Sequence, residues 1–432
     1  MTLDEIIYIV KGETKLYSNK KVKNICIDTR KIKKGDIFIA IKGKKYDGHN
    51  YIKEAIKKGA IACIGEMEID DDEYIKVNST YETLFLLGNY FRKIYNIPLI
   101  AITGSTGKTT TKELLVHILK SKYKILYNKE NKNNIIGVSN TLFNLNKKYN
   151  LIVMELGSNH MGEISCLSKM CNPNISIITN IGSSHLGYFK TKKNIFKEKT
   201  SIIDGMFDKN LIINGDDKYL KKLDYYKCGL DMNNDLIAYN IFEYENYITF
   251  NINIDKEYTI VFNNPCKHFI NDILLAIKVC LDYGMKIEEI IKKIKTFKLI
   301  NKRMNIIKNK SNIIIDDCYN SSYESVVAGL NYVKKISKHK IIIIGDILEL
   351  GKYSHKIHKK INKLLIKLKD TDIYTVGKYS KKIKGINFNN STELLKYLKN
   401  IKIKESYIYI KGSRGMGLDI IADFLKKNKS YL

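Results

Sequence analysis

Proline, arginine and long apolar runs are scarce in this chain of 432 residues. Only 3 prolines and no low-complexity tract occur, while 44% of the residues are hydrophobic, so a largely disordered chain is excluded. No run of about 18 apolar residues is found, which excludes a membrane-spanning helix. The start, MTLDEIIYIV, has neither the basic nor the apolar region of a signal peptide. We therefore expect a cytoplasmic protein.

Cysteine pairs of the C-x-x-C type are also missing. The 8 cysteines are scattered through apolar segments. This distribution predicts reduced, mostly buried thiols in a cytosolic protein and argues against a zinc site.

The charge is large and almost entirely due to lysine. Lys and Arg total 74 against 45 Asp and Glu, a net charge of +29, yet only four are arginines: Arg30, Arg92, Arg303 and Arg414. The lysines are spread from Lys11 to Lys429, whereas a nucleic-acid face concentrates its cations. We therefore expect a solvated lysine surface and no nucleic-acid partner. Because only a guanidinium binds carboxylate or phosphate as a planar fork, each arginine is a candidate site residue. Only Arg92 falls outside any motif.

The order of the segments predicts an α/β protein of three domains, in agreement with the length. Residues 1–80 alternate short strands with a helix. Residues 81–298 and 299–432 each repeat a strand–helix rhythm with short apolar strands, as in parallel sheets. The predicted strands of these two blocks are Leu99–Thr103, Leu151–Met154, Ile175–Thr179, Leu211–Ile213, Asn312–Ile315, Lys340–Ile344, Asp372–Val376 and Tyr407–Ile410.

The strongest local motif is a glycine loop between a strand and a helix. The residues are Thr103, Gly104, Ser105, Thr106, Gly107, Lys108, Thr109 and Thr110. Such a loop turns backbone N–H groups toward an anion at a helix N-terminus. Lys108 can reach the β and γ phosphates, and Thr109 can bind Mg²⁺. The first glycine of the full G-x-x-x-x-G-K-[ST] pattern is replaced by Ile102, but the strand context still predicts ATP binding.

Two further strands end in residues suited to the same site. Glu155 follows Leu151–Met154, and His185 lies six residues after Ile175–Thr179. The carboxyl ends of parallel strands meet at one edge of a sheet, where a nucleotide and its metal ion bind. Glu155 and His185 are therefore predicted to hold Mg²⁺ with Thr109.

Together, TGSTGKTTTKE, ENKNNIIGVSNTL, ELGSNHMGEI and TNIGSSHLGYF resemble the central domain of the Mur ligases. GDILELG at 345–351 and KGSR at 411–414 are similar to the branch that adds D-alanyl-D-alanine to UDP-N-acetylmuramoyl-tripeptide in peptidoglycan synthesis. The resemblance implies an ADP-forming ligase that uses ATP and Mg²⁺, acts as a monomer and forms an acyl phosphate. It also implies an N-terminal UDP-sugar domain, a central P-loop ATPase domain and a C-terminal Rossmann-like domain.

The resemblance also implies roles for individual residues. Asn271, Arg303, Asp317 and Asn320 are expected to contact ATP. Substrate contacts are expected from Asp28, Arg30, Asp47, Asn133, Asn134 and Arg414. Lys199 matches a lysine that the family modifies with CO₂ to a carbamate, which would complete the Mg²⁺ site. The catalytic set is therefore Lys108, Glu155, His185 and Lys199.

Three positions depart from the family pattern: Phe269, Lys302 and Tyr323 stand where Asn, Gly and Pro are usual. No motif tells lysine from diaminopimelate as the third residue of the tripeptide. Two alternative functions remain: a sibling or folylpolyglutamate-type ligase, against which GDILELG and KGSR argue, and a basic ATP-dependent nucleic-acid motor, which the charge alone suggests. His355 and His358 are predicted to be surface or packing residues.

Overall fold

The computed structural model describes residues 1–43, 45–299 and 302–427. Its first part is a small α/β arrangement whose elements are α1 Leu3–Val10, β1 Ile25–Cys26, β2 Ile37–Ile39, α2 Ile52–Lys57, β3 Ala62–Gly65, β4 Tyr74–Lys76 and α3 Thr80–Tyr95. The four strands form a parallel sheet in the order β1-β2-β3-β4. The buried face of α1 packs on this sheet because apolar residues recur at helical spacing.

The middle part alternates strands and helices up to Thr200, as predicted, and then has six successive strands before its last two helices. Its elements are β5 Leu99–Thr103, α4 Lys108–Leu119, β6 Ile125–Tyr127, α5 Ile135–Leu142, β7 Leu151–Glu155, α6 Glu163–Cys171, β8 Ile175–Ile178, α7 Leu186–Phe189, α8 Lys192–Thr200, β9 Leu211–Asn214, β10 Tyr226–Gly229, β11 Leu236–Ile237, β12 Tyr239–Glu243, β13 Ile248–Asn253, β14 Glu257–Phe262, α9 Phe269–Asp282 and α10 Ile287–Thr296. Strands β5, β7, β8 and β9 are buried along their whole length, which explains why their sequences are apolar without alternation.

The last part has the same strand–helix rhythm. Its elements are β15 Asn305–Asn309, β16 Asn312–Asp317, α11 Tyr323–Val333, β17 Lys340–Gly345, α12 Ser354–Leu365, β18 Thr371–Val376, β19 Ile386–Phe388, α13 Ser391–Leu398, β20 Tyr407–Lys411 and α14 Asp419–Lys427. They form a six-stranded sheet in the order β15-β16-β20-β17-β18-β19, in which only the edge pair β15–β16 is antiparallel. The predicted α/β class with parallel sheets is confirmed.

The chain divides into two compact units. The first comprises Met1–Thr103, Leu119–Ile177 and Thr200–Leu211. It holds the N-terminal sheet and the strands β8-β5-β7-β6, which neighbour one another in that order.

The second unit comprises Gly104–Ile118, Ile178–Lys199 and Ile212–Leu432. It holds the parallel strands β11-β10-β9, the antiparallel sheet β12-β13-β14 and the whole C-terminal sheet. Within the part of the chain that the structure describes, no helix has both the length and the apolar character needed to cross a bilayer.

All eight cysteines are free thiols, and six of them are buried. This confirms the prediction from their spacing. Burial is the main reason that the pKa of several, such as Cys63 at about 12, is raised. They act as small apolar core residues.

Arg92 is not the incidental residue that its position outside the motifs suggested. It is 5% exposed and lies on α3. Its Nε donates to the Cys171 carbonyl at 2.7 Å, and one Nη donates to the Asn172 carbonyl at 3.3 Å. These carbonyls lie at the end of α6, where the helix leaves its last C=O groups unpaired. Arg92 therefore caps α6 from a neighbouring helix.

Replacing Arg92 with methionine should destabilise the protein. The side-chain volume is largely kept, but the carbonyls at the end of α6 lose charged donors. We expect a loss of about 2 kcal/mol, or roughly 4–8 °C in the melting temperature measured by scanning calorimetry. Lys93→Met, at the exposed neighbouring position of the same helix, serves as the control and should change little. Equal melting temperatures for the two variants would contradict the capping role.

Candidate active site

The glycine loop between β5 and α4 has a conformation that only glycine adopts easily. Gly104 and Gly107 have φ angles of 144° and 81°. A Cβ on Gly104 would lie 2.0 Å from Thr179 Oγ1, and one on Gly107 would lie 2.4 Å from Asp272 Oδ1. Both glycines are therefore required by backbone angle and by space.

Lys108, at the first position of α4, folds back over this loop. Its Nζ donates to the Gly104 carbonyl at 2.7 Å and to the Ser105 carbonyl at 3.4 Å. The ammonium group is thus held above the loop at the N-terminal end of a helix, where a phosphate is favoured.

A second segment, residues 180–187, is hydrogen-bonded to the same loop. Asn180 accepts from Ser105 N through its carbonyl and from Thr106 N through Oδ1, both at 3.0 Å. Gly182 N donates to Ser105 Oγ at 2.8 Å, and Ser184 Oγ donates to the Ser105 carbonyl at 3.1 Å. The shape of the loop therefore depends on the position of this segment.

His185, within this segment, has a left-handed backbone conformation, with φ of 57°. Its Nδ1 lies 2.5 Å from Glu349 Oε2, and the Glu349 carbonyl accepts from Gly187 N at 2.8 Å. The hydrogen bond to His185 is the main reason that the pKa of Glu349 is lowered. With Nδ1 engaged by a carboxylate, Nε2 is the nitrogen left for a ligand.

Lys199 is a buried lysine. It is 2% exposed and lies on α8, and its Nζ is 5.7 Å from the centroid of the Phe189 ring. Burial of an ammonium group disfavours its charge, so this position differs from the solvated lysines that dominate the composition.

In the first unit, Glu155 and two predicted substrate residues lie close together. Glu155 is 2% exposed, and its Oε1 accepts from Asn133 Nδ2 at 2.8 Å. Its Oε2 is buried and has no hydrogen-bond partner among the residues that the structure describes. Asn134 instead caps α5, accepting from Gly137 N at 3.0 Å. A buried carboxylate oxygen without a donor is suited to a cation.

Two of the four arginines meet at one tyrosine ring in the second unit. The Cζ atoms of Arg303 and Arg414 lie 4.4 Å and 5.6 Å from the centroid of Tyr319. Arg303 also donates to Thr109 Oγ1 at 3.1 Å, which joins it to the start of α4. The sequence-predicted residues Thr109, Arg303 and Arg414 therefore belong to one cluster.

Asp317 and Asn320 are engaged by the protein itself. Lys411 Nζ lies 2.7 Å from Asp317 Oδ2 and donates to the Asn320 carbonyl at 3.1 Å. Burial raises the pKa of Asp317 in spite of the nearby Lys411. Asp317 is therefore not an open carboxylate, whereas Asn320 is engaged through its backbone carbonyl and is exposed.

Asn271 lies on α9. Its Nδ2 donates to Asn214 Oδ1 at 3.2 Å and to Asp216 Oδ2 at 3.1 Å. Its Oδ1 is buried and accepts no hydrogen bond from the described residues. The amide is therefore oriented, with an acceptor available for a donor of a ligand.

The predicted UDP-sugar residues form two local pairs. Arg30 donates from Nε and Nη2 to the two oxygens of Asp28, at 2.8 and 2.9 Å, and its side chain is 84% exposed. This fork is the main reason that the pKa of Asp28 is lowered. Asp47 Oδ1 lies 2.6 Å from Nδ1 of the buried His49, whose Nε2 accepts from Glu66 N at 2.9 Å. Asp28 and Asp47 each also cap a short 3₁₀ turn.

The two histidines of α12 differ in exposure. His358 is fully buried, with Nδ1 2.8 Å from the Ser354 carbonyl and Nε2 accepting from Ile347 N at 3.2 Å. The described residues contain no group of three His, Cys, Asp or Glu side chains arranged to hold a metal ion. The prediction of packing or surface roles for His355 and His358 is consistent with this geometry.

Sequence reasoning missed three carboxylates: Asp272, Glu324 and Glu349. Each lies against the glycine loop of residues 103–110, called the phosphate loop below, or against segment 180–187 beside it. Each is adjacent to a segment that the motifs singled out, since Asp272 follows Asn271, Glu324 follows the 316–323 stretch and Glu349 lies within GDILELG. The motifs gave no sign of their partners, which are distant in sequence.

Asp272 is a buried carboxyl beneath the phosphate loop. It is 7% exposed and packs against Gly107. Burial raises its pKa from 3.8 to about 7, although the nearby Thr111 hydroxyl and the charge of Arg303 lower it. The folded protein therefore holds this proton between about pH 4 and pH 7, where the unfolded chain has lost it.

The Asp272→Asn variant should show this linkage. The stability that Asp272 contributes is complete below its unfolded pKa and is lost as the pH rises through about 7. Asparagine keeps the shape without the ion, so the variant is expected to melt above the wild type at pH 8. The difference should shrink steadily toward pH 4. Melting temperatures recorded from pH 4 to pH 8 test this, and a difference that does not change with pH would contradict it.

The family models match two parts of the chain. The Mur ligase middle domain covers residues 102–280, and the Mur ligase family catalytic domain covers residues 21–85. A UDP-N-acetylmuramoyl-tripeptide–D-alanyl-D-alanine ligase from Buchnera aphidicola subsp. Baizongia pistaciae is 34% identical over 426 residues, which is 94% of this chain and 93% of that protein. This chain belongs to the Mur ligase family.

Other Mur ligases agree with this assignment. The ligase of the same name from Rickettsia prowazekii is 34% identical over 92% of this chain and 94% of its own. Among solved structures, MurF from Acinetobacter baumannii has a TM-score of 0.91 and 27% identity, with 99% of each chain covered. The fold is therefore that of a Mur ligase from end to end, with N-terminal, middle and C-terminal α/β domains, and the predicted fold class is confirmed.

Proposed function

We propose that this Mur ligase joins D-alanyl-D-alanine to UDP-N-acetylmuramoyl-tripeptide with hydrolysis of ATP to ADP and phosphate, in the synthesis of peptidoglycan precursors. The observation that carries the proposal is the similarity over more than nine-tenths of the chain to relatives of that name. We assign residues 1–80 to the UDP-sugar, 81–298 to ATP and 299–432 to a closing Rossmann-like domain. As such an enzyme it acts in the cytoplasm as a monomer and contributes to cell shape, growth and division.

The phosphate loop and its surroundings suit ATP. Residues 103–110 are assigned to the phosphates. The N–H groups of Ser105 and Thr106 are engaged by Asn180, so the start of α4 supplies the donors of the anion site, and Lys108 and Arg303 add positive charge beside it. The free acceptor of Asn271 suits the exocyclic amine of adenine. Asp317, paired with Lys411, and the exposed Asn320 are likewise assigned to ATP, in the loop after β16.

The donor types assigned to Mg²⁺ are ones that bind this ion. In the first unit, Glu155 has a buried oxygen that accepts no hydrogen bond from the described residues; in the second unit, Thr109 has a hydroxyl and His185 its Nε2. A carbamate on Lys199 would add an anionic ligand. Mg²⁺ usually takes only one or two protein carboxylates, with water and substrate phosphates completing its shell. When bound, the ion would neutralise charge on the phosphates.

The reaction brings two anions together, and residues of this chain supply positive charge that reduces their repulsion. The carboxylate of the tripeptide attacks the already anionic γ-phosphate, and ADP leaves an acyl phosphate. Lys108 and Arg303 lower this repulsion and hold the phosphates in place. The dipeptide amine then attacks the acyl carbon, and the tetrahedral species loses phosphate to give the amide. Arg414 is placed beside Arg303 to bind the incoming carboxylate or the phosphates.

The remaining assignments concern the sugar nucleotide. Arg30, held by Asp28 and mostly exposed, is available to the pyrophosphate of the UDP-sugar. Asp47 caps the turn at His49, Asn133 donates to Glu155, and Asn134 caps α5; all three are assigned to the substrate.

Phosphate release separates this function from the alternatives. We expect release with ATP, UDP-N-acetylmuramoyl-tripeptide and D-alanyl-D-alanine together, and little when the dipeptide is omitted. Single amino acids or folate with glutamate in place of the dipeptide test the sibling ligases, and DNA or RNA tests a nucleic-acid motor. Stimulation by any of these, without stimulation by the dipeptide, would overturn the proposal. Lysine- and diaminopimelate-containing tripeptides should be compared in the same assay.

A further inference from the structure

Glu324 connects the C-terminal sheet to segment 180–187, which is hydrogen-bonded to the phosphate loop. It lies in the first turn of α11, and its side chain is 30% exposed. Oε2 accepts from Ser183 N at 2.9 Å and from Ser183 Oγ at 2.7 Å. Oε1 accepts from Lys192 Nζ at 3.0 Å. Both oxygens of one carboxylate are thus committed to residues more than 130 positions earlier in the chain.

The segment that contacts Glu324 also contacts the phosphate loop directly. A Cβ on Gly182 would lie 3.0 Å from Glu324 Cδ and 3.0 Å from Ser105 Cβ, so Gly182 is enclosed between the two side chains. Its N–H donates to Ser105 Oγ, and the following Ser183 donates to Glu324. Neighbouring residues of one segment therefore bind the loop on one side and Glu324 on the other.

The charge of Glu324 favours this arrangement. Burial raises its pKa, but Lys192 and the donors of Ser183 outweigh burial and leave the pKa below 4.5. The carboxylate is ionised at neutral pH, and bonds to an ionised acceptor are about twice as strong as neutral ones. Its position at the N-terminus of α11 also suits a negative charge.

We propose that Glu324 is a positioning residue, which sets the geometry of the phosphate loop through Ser183 and Gly182 and so couples nucleotide affinity to the placement of the C-terminal domain. This inference rests on the proposed function, because it assigns the loop to ATP. It differs from a purely structural role, since the same bonds would then stabilise the fold and leave nucleotide binding unchanged.

Nucleotide affinity measured without the other substrates tests the proposal. In calorimetric titration with Mg·ADP, Glu324→Ala should bind at least about fivefold more weakly than wild type, the lower end of usual coupling between sites. Glu393→Ala is the matched control, because Glu393 also accepts backbone and amide bonds within the C-terminal domain but only locally, from Asn389. It should bind Mg·ADP as wild type does.

If Glu324→Ala does not fold, a double-mutant cycle with more conservative variants tests the same proposal. Glu324→Gln and Lys192→Met each remove the ion pair while keeping side-chain volume, and Gln can still accept from Ser183. Their effects on affinity should be less than additive in the double variant, because both remove the same interaction.

The outcomes distinguish this inference from the proposed function. If wild type itself fails to bind Mg·ADP, the proposed function is wrong. If wild type binds and the Glu324 variants bind equally well, with or without a lower melting temperature, the positioning role is wrong. Weaker binding by the Glu324 variants with an unchanged Glu393→Ala supports it.

Discussion

Lys108→Ala is expected to lower kcat/KM for ATP roughly 100- to 1,000-fold. Lys108 Nζ lies over the loop on the Gly104 and Ser105 carbonyls, at the N-terminal end of α4. A carboxylate attacking an anionic phosphate needs positive charge that is already in place, and removing one preorganised donor typically costs a factor of this size. Alanine leaves the helix intact, so the loss should appear without a fall in melting temperature.

Steady-state phosphate release measures this effect. Lys108→Arg tests whether charge alone is sufficient, and we expect it to remain impaired, because a guanidinium is larger and planar and cannot fold onto the same carbonyls. Lys120→Ala, at the exposed end of the same region, is the control and should keep activity. If Lys108→Ala retained more than a tenth of the wild-type value, Lys108 would not be a phosphate-binding residue.

Lys199→Ala is expected to lower activity about 10- to 100-fold. The side chain is buried at 2% exposure, and its Nζ lies 5.7 Å from the centroid of the Phe189 ring. A neutral amine adds CO₂ and releases a proton, which gives a carbamate anion. Such an anion would support Mg²⁺, and loss of a supporting group at a metal site usually costs a factor of this range.

The carbamate itself can be observed independently of activity. Wild-type protein equilibrated with ¹³C-bicarbonate should show a carbamate signal in its ¹³C NMR spectrum that Lys199→Ala lacks. Lys197→Ala, an exposed position on α8, should keep the signal. Activity in CO₂-free buffer should fall for wild type and for Lys197→Ala, and should not fall further for Lys199→Ala. Full activity of Lys199→Ala, together with no effect of CO₂ removal, would refute the modification.

The elements that could be predicted are those whose cause is local. Strands β5, β7, β17 and β20 are largely apolar because both of their faces are buried, and their predicted positions are confirmed to within one or two residues. In the N-terminal part, where short strands were predicted, β1 covers only Ile25–Cys26, because Asp28 caps the turn that follows. A capping side chain competes with strand pairing, and sequence alone does not show which prevails.

The relation between Glu324 and the phosphate loop could not be predicted. No local pattern marks Glu324, since a glutamate in the first turn of a helix is usual. Its partners Ser183 and Lys192 are set by how α11 packs against the segment after β8. Similarly, Arg92 was expected to be incidental, and only the packing of α3 against α6 places it at a helix end.

By itself, the sequence determined that this is a three-domain α/β Mur ligase with a phosphate loop at residues 103–110, even though arginine and proline are scarce. Glycine positions, a lysine after them and buried strands are short-range features whose physical causes lie within a few residues. Only the tertiary structure decided which charged side chains have partners within the protein. It places Arg303 on Thr109, leaves one Glu155 oxygen without a donor among the described residues, and raises the pKa of Asp272 to about 7. Burial and partner choice depend on residues far apart in the chain, so they become definite only when the chain is folded.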